Sequence, residues 1–572
     1  MRTVMSRFAL LVCVPLTAAA QQTGRIKVER ATELPRHAYP VSTTVTELFQ
    51  NDQQFAALAQ QVAADLRADL SKYDIRDHAT LASYYTTLGD LALERADYKT
   101  AVAYQDSMRA VEDKPGLRLS AGILERARAA AARGPGEPLD TARFRQAFRA
   151  EIAALPYPGG EVALLAMRHR FAVQRPLFQA QRLELGAGSG SLNLAQAQQL
   201  IAMRVVRDWT LPVRDVLLGE IDAAMASHDF ANIWPPREVS LEGRTDLTPV
   251  TMAIWDSGVD VDVYPGQLFT NPGEIADNGK DDDGNGYIDD VHGIAYDIDK
   301  GRVTGLMLPA AMKGVNRGYG HGTSVAGLAV RGNPAARMLV ARGSERMGGH
   351  GPQPGQPVPT LQRARNFAQE NRESVEYFRQ HRVRVVIMSW GFTPGGFETT
   401  LAAHNIGTPD EQRKLARQIF EVAATALREA MAAAPNILFV AAAANDGADV
   451  NFNEEVPGSF DLPNLIVVGA ADAAGGETGF SNHGKVDVFA EGFEVPSKAP
   501  GGSRILFSGT SAASPQVVNL AAKLLAVKPM LSVAELRRAI VESADEKTIG
   551  KGKKIRLLNP KAAIDRVTHA AR

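Results

Sequence analysis

The hydrophobic patterning predicts a doubly wound α/β domain with a mainly parallel sheet over residues 246–572, preceded by an all-helical region over residues 43–245. Three observations carry this. Beyond Trp234-Pro235-Pro236, short continuously apolar runs alternate with helical patterns, as strands buried on both faces of a parallel sheet require. Before that point apolar residues recur at spacings of three and four, alanine is plentiful and β-branched runs are scarce, which favours helices. Finally, the polar turn Ser508-Gly509-Thr510-Ser511 runs straight into an apolar helix, with Pro515 expected in its first turn.

Length and composition narrow the classes. At 572 residues the chain can bury more than one core, and a formal net charge of −1 gives no reason to expect nucleic acid or an acidic membrane as partner. Residues 1–20 read as a secretory signal: Arg2 and Arg7, the apolar stretch Phe8 to Leu16, then Ala18-Ala19-Ala20 before Gln21. The apolar stretch is too short to span a bilayer, and no later one approaches about 18 uninterrupted apolar residues, so no membrane span is expected. Cys13, the single cysteine, lies inside this signal, and Leu10-Leu11-Val12 lacks the small residue that precedes a lipidated cysteine. The expectation is therefore an exported protein, periplasmic or extracellular, held by its core alone or with help from bound ions.

Taken in order, residues 21–42 are polar and irregular and read as a tether. In the helical region Leu88-Gly89, Ala96-Asp97-Tyr98, Ala101 and Tyr104 fall at the offsets of a tetratricopeptide-like helical hairpin, where small residues permit close helix crossing. One such unit is legible, fewer than the roughly three that a free-standing solenoid needs, so it is read as part of a larger bundle. That region is expected to contact the α/β domain or a partner protein. Arg133-Gly134-Pro135-Gly136-Glu137-Pro138 and Gly186-Ala187-Gly188-Ser189-Gly190-Ser191 read as flexible breaks. Strands follow at Val250–Trp255, Met338–Ala341, Val385–Met388, Ile437–Ala442 and Leu465–Gly469, with helical patterns near 322–330, 361–381 and 410–433. The Pro- and Gly-rich run Gly343–Pro359 reads as a long surface loop or flap.

In open sheets of this kind ligands bind beyond the carboxyl ends of the strands, and three candidate residues lie at such places. Asp256 closes the first strand before Ser257-Gly258. His321, between Gly320 and Gly322, opens the next helical stretch. Ser511 opens the last long helix, where free N–H groups and the helix dipole stabilise negative charge. Singly, Asp256 reads equally as a turn former and Ser511 as an N-cap; together, in the order Asp, His, Ser, they suit nucleophilic catalysis.

The sequence here resembles the subtilisin-like serine proteases, the subtilases, over about residues 246–568. The family's Asp-Ser/Thr-Gly block is matched at 256–258. Its His-Gly-Thr-x-Val-Ala-Gly block is matched at 321–327, with Ser324 where a second histidine is common. Its Gly-Thr-Ser-x-Ala-x-Pro block is matched at 509–515, with Ala512 where methionine is usual. The resemblance implies a subtilisin-like domain acting as a serine endopeptidase on protein or peptide substrates. Ser511 would be the nucleophile, His321 the general base and acid, and Asp256 the group that orients the imidazole. Asn445 matches the oxyanion asparagine, and otherwise reads as a turn residue before Asp446-Gly447. The family norm of Ala-Ala-Gly before it is Ala-Ala-Ala here, so the methyl of Ala444 is expected to crowd the first specificity pocket. Ser389-Trp390-Gly391 resembles the strand that pairs with an extended peptide, with Trp390 either narrowing a subsite or serving as core.

Asp281, Asp283, Asn285 and Asp289 place oxygen side chains at alternate positions around Gly286, like the start of an EF-hand calcium loop, but His292 stands where the bidentate glutamate belongs. The 281–290 loop is thus a candidate for a structural calcium ion or simply a shaped loop; the chemistry itself calls for no cofactor and no catalytic metal. The usual small α/β propeptide of the family is not recognisable, which leaves the activation route open. The reading from another class is a catalytically silent, subtilase-like binding protein whose helical region docks a partner. Esterase or transpeptidase chemistry through the same acyl-enzyme is the other alternative.

Overall fold

The computed structural model describes residues 24–132, 139–157, 159–181, 190–228, 232–307, 320–343 and 357–569. The expected signal with Cys13, the break at 133–138, most of the 186–191 run and most of the 343–359 loop lie outside these residues.

The α/β domain is built on a ten-stranded sheet. Its strands are β1 (Val250–Asp256), β2 (Gly293–Asp297), β3 (Gly301–Val303), β4 (Ala336–Arg342), β5 (Val385–Met388), β6 (Leu438–Ala442), β7 (Leu465–Ala471), β8 (Val488–Glu491), β9 (Asp545–Thr548) and β10 (Lys554–Leu557). They lie in the order β9-β10-β8-β7-β6-β5-β1-β4-β2-β3. Pairing is parallel throughout except for the antiparallel edges β9 with β10 and β2 with β3. The central strands are apolar on both faces because both are covered. Met252 and Ile254 of β1 enter one core, and Ala253 and Trp255 enter the other. Helices α3 (His321–Ala329), α6 (Thr510–Val527), α7 (Val533–Glu542) and α8 (Pro560–His569) pack on the first face, α4 (Leu361–Gln380) and α5 (Pro409–Ala432) on the second. Strand β1 lies between β4 and β5, so the chain passes from one side of β1 to the other there. This is the switch point at which an open sheet leaves a crevice at its carboxyl edge.

The N-terminal region is largely helical. Within it α1 (His78–Leu93) and α2 (Tyr98–Val111) form the hairpin, and Asp97 caps α2 by accepting the Thr100 N–H at 3.1 Å. A Cβ on Gly89 would lie 3.4–3.6 Å from Gln105, Tyr104 and the Ala101 carbonyl, ordinary contact distance, so the two helices cross with Gly89 facing α2.

Residues 24–42 of the stretch expected as a tether are instead folded. Ile26–Val28 pairs in parallel with Tyr73–Ile75, and Ala38–Val41 pairs antiparallel with Gly190–Asn193. Pairing satisfies backbone groups and lets Val28 and Tyr39 join the helical core. Phe452 of the α/β domain sits in that same core, and the Ala31 N–H donates to its carbonyl at 2.9 Å. Further links are Arg36 to Glu398 at 2.6 Å and Arg168 to both carboxylate oxygens of Glu494 at 2.8 Å. Buried Lys114 donates from Nζ to the carbonyls of Gly447, Gly479 and Ser481 at 3.0, 2.8 and 2.7 Å.

Candidate active site

Asp256 ends β1 at the switch point and is buried. Its Oδ1 accepts the Ser257 N–H and faces His321 Nδ1, each at 2.7 Å. His321 is the first residue of α3, and the approach of that helix to the Asp256 turn depends on its neighbour. A Cβ on Gly322 would lie 2.2 Å from the Gly258 carbonyl oxygen, so no larger residue fits there. The ring of His321 stands edge-on to Phe507, 5.5 Å between centroids. Nδ1 is engaged with the carboxylate, and Nε2 is left as the nitrogen that can exchange a proton with a nucleophile.

Ser511 is the second residue of α6. Gly509 caps the helix at φ +136°, a backbone conformation that side-chain-bearing residues rarely adopt, and its N–H is held by the Gly492 carbonyl at 2.8 Å. Pro515 lies one turn deeper than expected. In that position it cannot donate to the Ser511 carbonyl, so the helix lacks one bond below the serine. The Ser511 hydroxyl donates to the Ser389 carbonyl at 3.4 Å, and Ser389 Oγ bonds Ser514 Oγ at 3.0 Å.

Asn445 follows β6 by three residues. Its Oδ1 accepts both the N–H of Thr510 at 2.8 Å and the Thr510 hydroxyl at 3.1 Å. Ala444 before it holds φ +78°, a backbone conformation that residues with a Cβ rarely adopt. Asn482 Oδ1 clamps the following turn by accepting the N–H groups of Asp446 and Ala448 at 2.9 and 3.0 Å.

His321, Ser511, Asn445, Ala444 and all of Ser389-Trp390-Gly391 line one cavity of about 330 Å³. Trp390 is packed among aromatic side chains at the edge of the cavity. It lines this cavity, and it also packs edge-on to Trp255 and Phe367 while its indole N–H donates to the Trp255 carbonyl at 2.8 Å. Asp446, Glu455, Phe507 and Thr510 line the cavity too, and sequence reasoning missed them in this role. Thr510 lies inside the serine motif and Phe507 two residues before it, and that proximity was the signal that could have found them. Glu455, ten residues past Asn445, carried no signal.

In the 281–290 loop the side chains divide. Asp281, Asp283 and Glu274 bring carboxylate oxygens within 4.8 Å of one another. Asp289, expected to join such a set, instead accepts the N–H groups of Asn278 at 3.0 Å and Gly279 at 3.1 Å, and Asn285 Oδ1 accepts the Tyr287 N–H at 2.8 Å.

A carboxylate-bound imidazole and a helix-terminal serine in one crevice belong to the class of sites suited to acyl transfer. The family follows from the sequence around them. Residues 250–561 match the family model of the subtilases, peptidase S8, and the chain belongs to this family of serine-type peptidases. It is similar to the thermophilic serine proteinase of Bacillus sp. strain AK1, with 43% identity over 108 residues, 19% of this chain and 25% of that protein. It is also similar to subtilisin DY of Bacillus licheniformis, with 36% identity over 147 residues, 24% of this chain and 52% of that protein. The matches thus span from a quarter to about half of these relatives' length. Among solved structures, a cold adapted subtilisin-like serine proteinase aligns with a TM-score of 0.35 and 19% identity, over 57% of this chain and 95% of that one.

Proposed function

We propose that this chain is an exported serine endopeptidase that hydrolyses peptide bonds through an acyl-enzyme. The observation that carries the reading is the 2.7 Å contact between His321 Nδ1 and Asp256 Oδ1 beside a cavity that His321 shares with Ser511 and Asn445. In this reading the Ser511 hydroxyl turns from the Ser389 carbonyl to His321 Nε2. It gives up its proton there as Oγ attacks the substrate carbonyl carbon. Asp256 fixes the tautomer and stabilises the imidazolium. Asn445 Nδ2 and the Ser511 N–H, a donor without a partner in its own helix, take the developing oxyanion. His321 then protonates the leaving amine, and a water activated by the same histidine releases the acid. The chemistry uses no cofactor.

Export rests on the amino-terminal pattern of Arg2, Arg7, the apolar Phe8 to Leu16 stretch and Ala18-Ala19-Ala20. Among the described residues no helix is long and apolar enough to cross a membrane. A structural calcium ion at Glu274, Asp281 and Asp283 is the accompanying proposal, since three hard oxygen donors suit that ion. A chelator should then lower the unfolding temperature, with calcium restoring it.

The test is incubation of the protein with an unstructured protein substrate, followed by mass spectrometry of the products. New peptide termini formed by wild type and absent with Ser511→Ala support the reading. An intact substrate that is nevertheless retained by the wild-type protein would replace it with the silent binding-protein reading.

A further inference from the structure

The turn that follows Asn445 is held from outside the α/β domain. Asn445 is itself exposed, so its place depends on the backbone to either side of it. On one side the Ala444 carbonyl accepts the Asn482 N–H at 3.0 Å. On the other, Gly447 takes φ +70° and donates its N–H to the Phe480 carbonyl at 2.9 Å. Segments 444–449 and 479–483 thus form one unit, and Lys114 of the helical region is bonded into it. Lys114 is only 3% exposed. Its ammonium directs one bond to the Gly447 carbonyl on the first segment and two, to Gly479 and Ser481, on the second. An ammonium has three donors, and all three are used. A Cβ on Gly447 would lie 3.1 Å from Lys114 Nζ and 3.0 Å from the Gly479 carbonyl oxygen, so glycine keeps this junction uncrowded. Asp77, buried just before α1, reaches the same turn. Its Oδ1 accepts the Asp449 N–H at 3.2 Å, while Oδ2 caps α1 by accepting the Thr80 N–H at 2.7 Å.

We infer that Lys114, with Asp77, is a positioning residue for the oxyanion donor: from the helical region the two hold the 446–449 turn, and through it Asn445, in place for the reaction. The inference rests on the serine-peptidase reading of the same site. Thr510 sets which way the Asn445 amide faces, but the reach of Nδ2 toward the substrate is set by the backbone that carries it. That backbone is continuous with the turn that Lys114 and Asp77 bind. Bonds from an ammonium to carbonyl oxygens are charge-assisted and roughly twice as strong as neutral ones. A water molecule in the same place could donate to only two of the three carbonyls, so it would not join the two segments as Lys114 does. Oxyanion stabilisation depends on a donor aimed before the charge develops, and a turn free to shift lets that aim drift. The helical region thereby becomes a working part of the active site.

The experiment measures kcat and KM on one peptide substrate for wild type, Lys114→Met, Asn445→Ala and the double variant. All four full-length proteins are assayed well below their unfolding temperatures. Lys114→Met should lower kcat by about 10- to 100-fold with KM little changed. In the Asn445→Ala background the same change should lower kcat by less than about 2-fold, because the donor it positions is already gone. Asp77→Ser keeps a cap oxygen for α1 but is too short to reach Asp449 as well. It should lose a smaller factor, again only where Asn445 is present, and it carries the test if Lys114→Met does not fold. Equal losses in both backgrounds would overturn the inference, since Lys114 would then act on the fold at large. A wild-type kcat in folded Lys114→Met, or a loss confined to KM, would overturn it too and leave the peptidase reading standing. Failure of folded wild-type protein to cleave the peptide or to label with a fluorophosphonate would overturn the peptidase reading, and the inference with it.

Discussion

Asn445 presents its side-chain oxygen to Thr510, accepting the backbone N–H at 2.8 Å and the hydroxyl at 3.1 Å. A backbone N–H can only donate, so the amide must point its oxygen there and its NH2 group the other way. Thr510 therefore orients the donor that the mechanism assigns to the oxyanion. Replacing Asn445 with Ala should lower kcat by about 10²–10³-fold with KM little changed, a range taken from the equivalent loss in subtilisin itself. Steady-state kinetics on a single peptide substrate checks it.

The Asp256–His321 pair should be worth more than a hydrogen bond. Asp256→Asn keeps the size but favours the wrong imidazole tautomer, so kcat should fall by about 10⁴-fold. The measurement is kcat as a function of pH. Recovery at high pH, where other bases substitute for the histidine, would accompany the loss.

Ala444 holds a φ of +78°, which is costly for a residue with a Cβ. Ala444→Gly should raise stability by about 1 kcal/mol. It also removes a methyl from the cavity that Ala444 lines, so KM for bulky substrates should fall. Thermal unfolding and a substrate series read the two effects separately.

Lys114 reaches out of the helical region to three carbonyls around the turn that follows Asn445. Lys114→Met keeps the aliphatic stem and strips those oxygens of their donor. Destabilisation on the order of 2–3 kcal/mol is expected in urea denaturation, together with faster proteolytic separation of the helical region. If the region is only loosely held, the variant will match wild type in both assays.

Glu491 ends β8, and burial raises its carboxyl to about 7, with Glu238 adding to the shift. A carboxyl held above its unfolded value of 4.5 contributes stability that is complete below that pH and lost as pH rises through 7. The difference in unfolding temperature between Glu491→Gln and wild type should therefore grow in favour of the variant from pH 5 to pH 8. A difference independent of pH would contradict this.

Much of the α/β domain was legible because its determinants are local. Strands such as Val385–Met388 are continuously apolar since both sheet faces are covered, and Gly322 is required by a 2.2 Å approach to the Gly258 carbonyl oxygen. The edge strand Asp545–Thr548 was not legible: half-exposed, it reads Asp-Glu-Lys-Thr and owes its form to pairing with β10. The folding of residues 24–42 depends on partners as distant as Phe452, which no local pattern reveals. The same holds for Glu454 and Glu455. Glu454 sits at φ +53°, which turns the chain so that one carboxylate meets Arg417 and the next enters the cavity wall.

The most direct test of the account is the intact mass of the protein after treatment with a fluorophosphonate, with the adduct located by peptide mapping. One adduct per chain on Ser511, absent from Ser511→Ala and strongly slowed in His321→Ala, is the predicted result. An unlabelled Ser511 in folded wild-type protein, or equal labelling of His321→Ala, would contradict the assignment of an activated serine to this site.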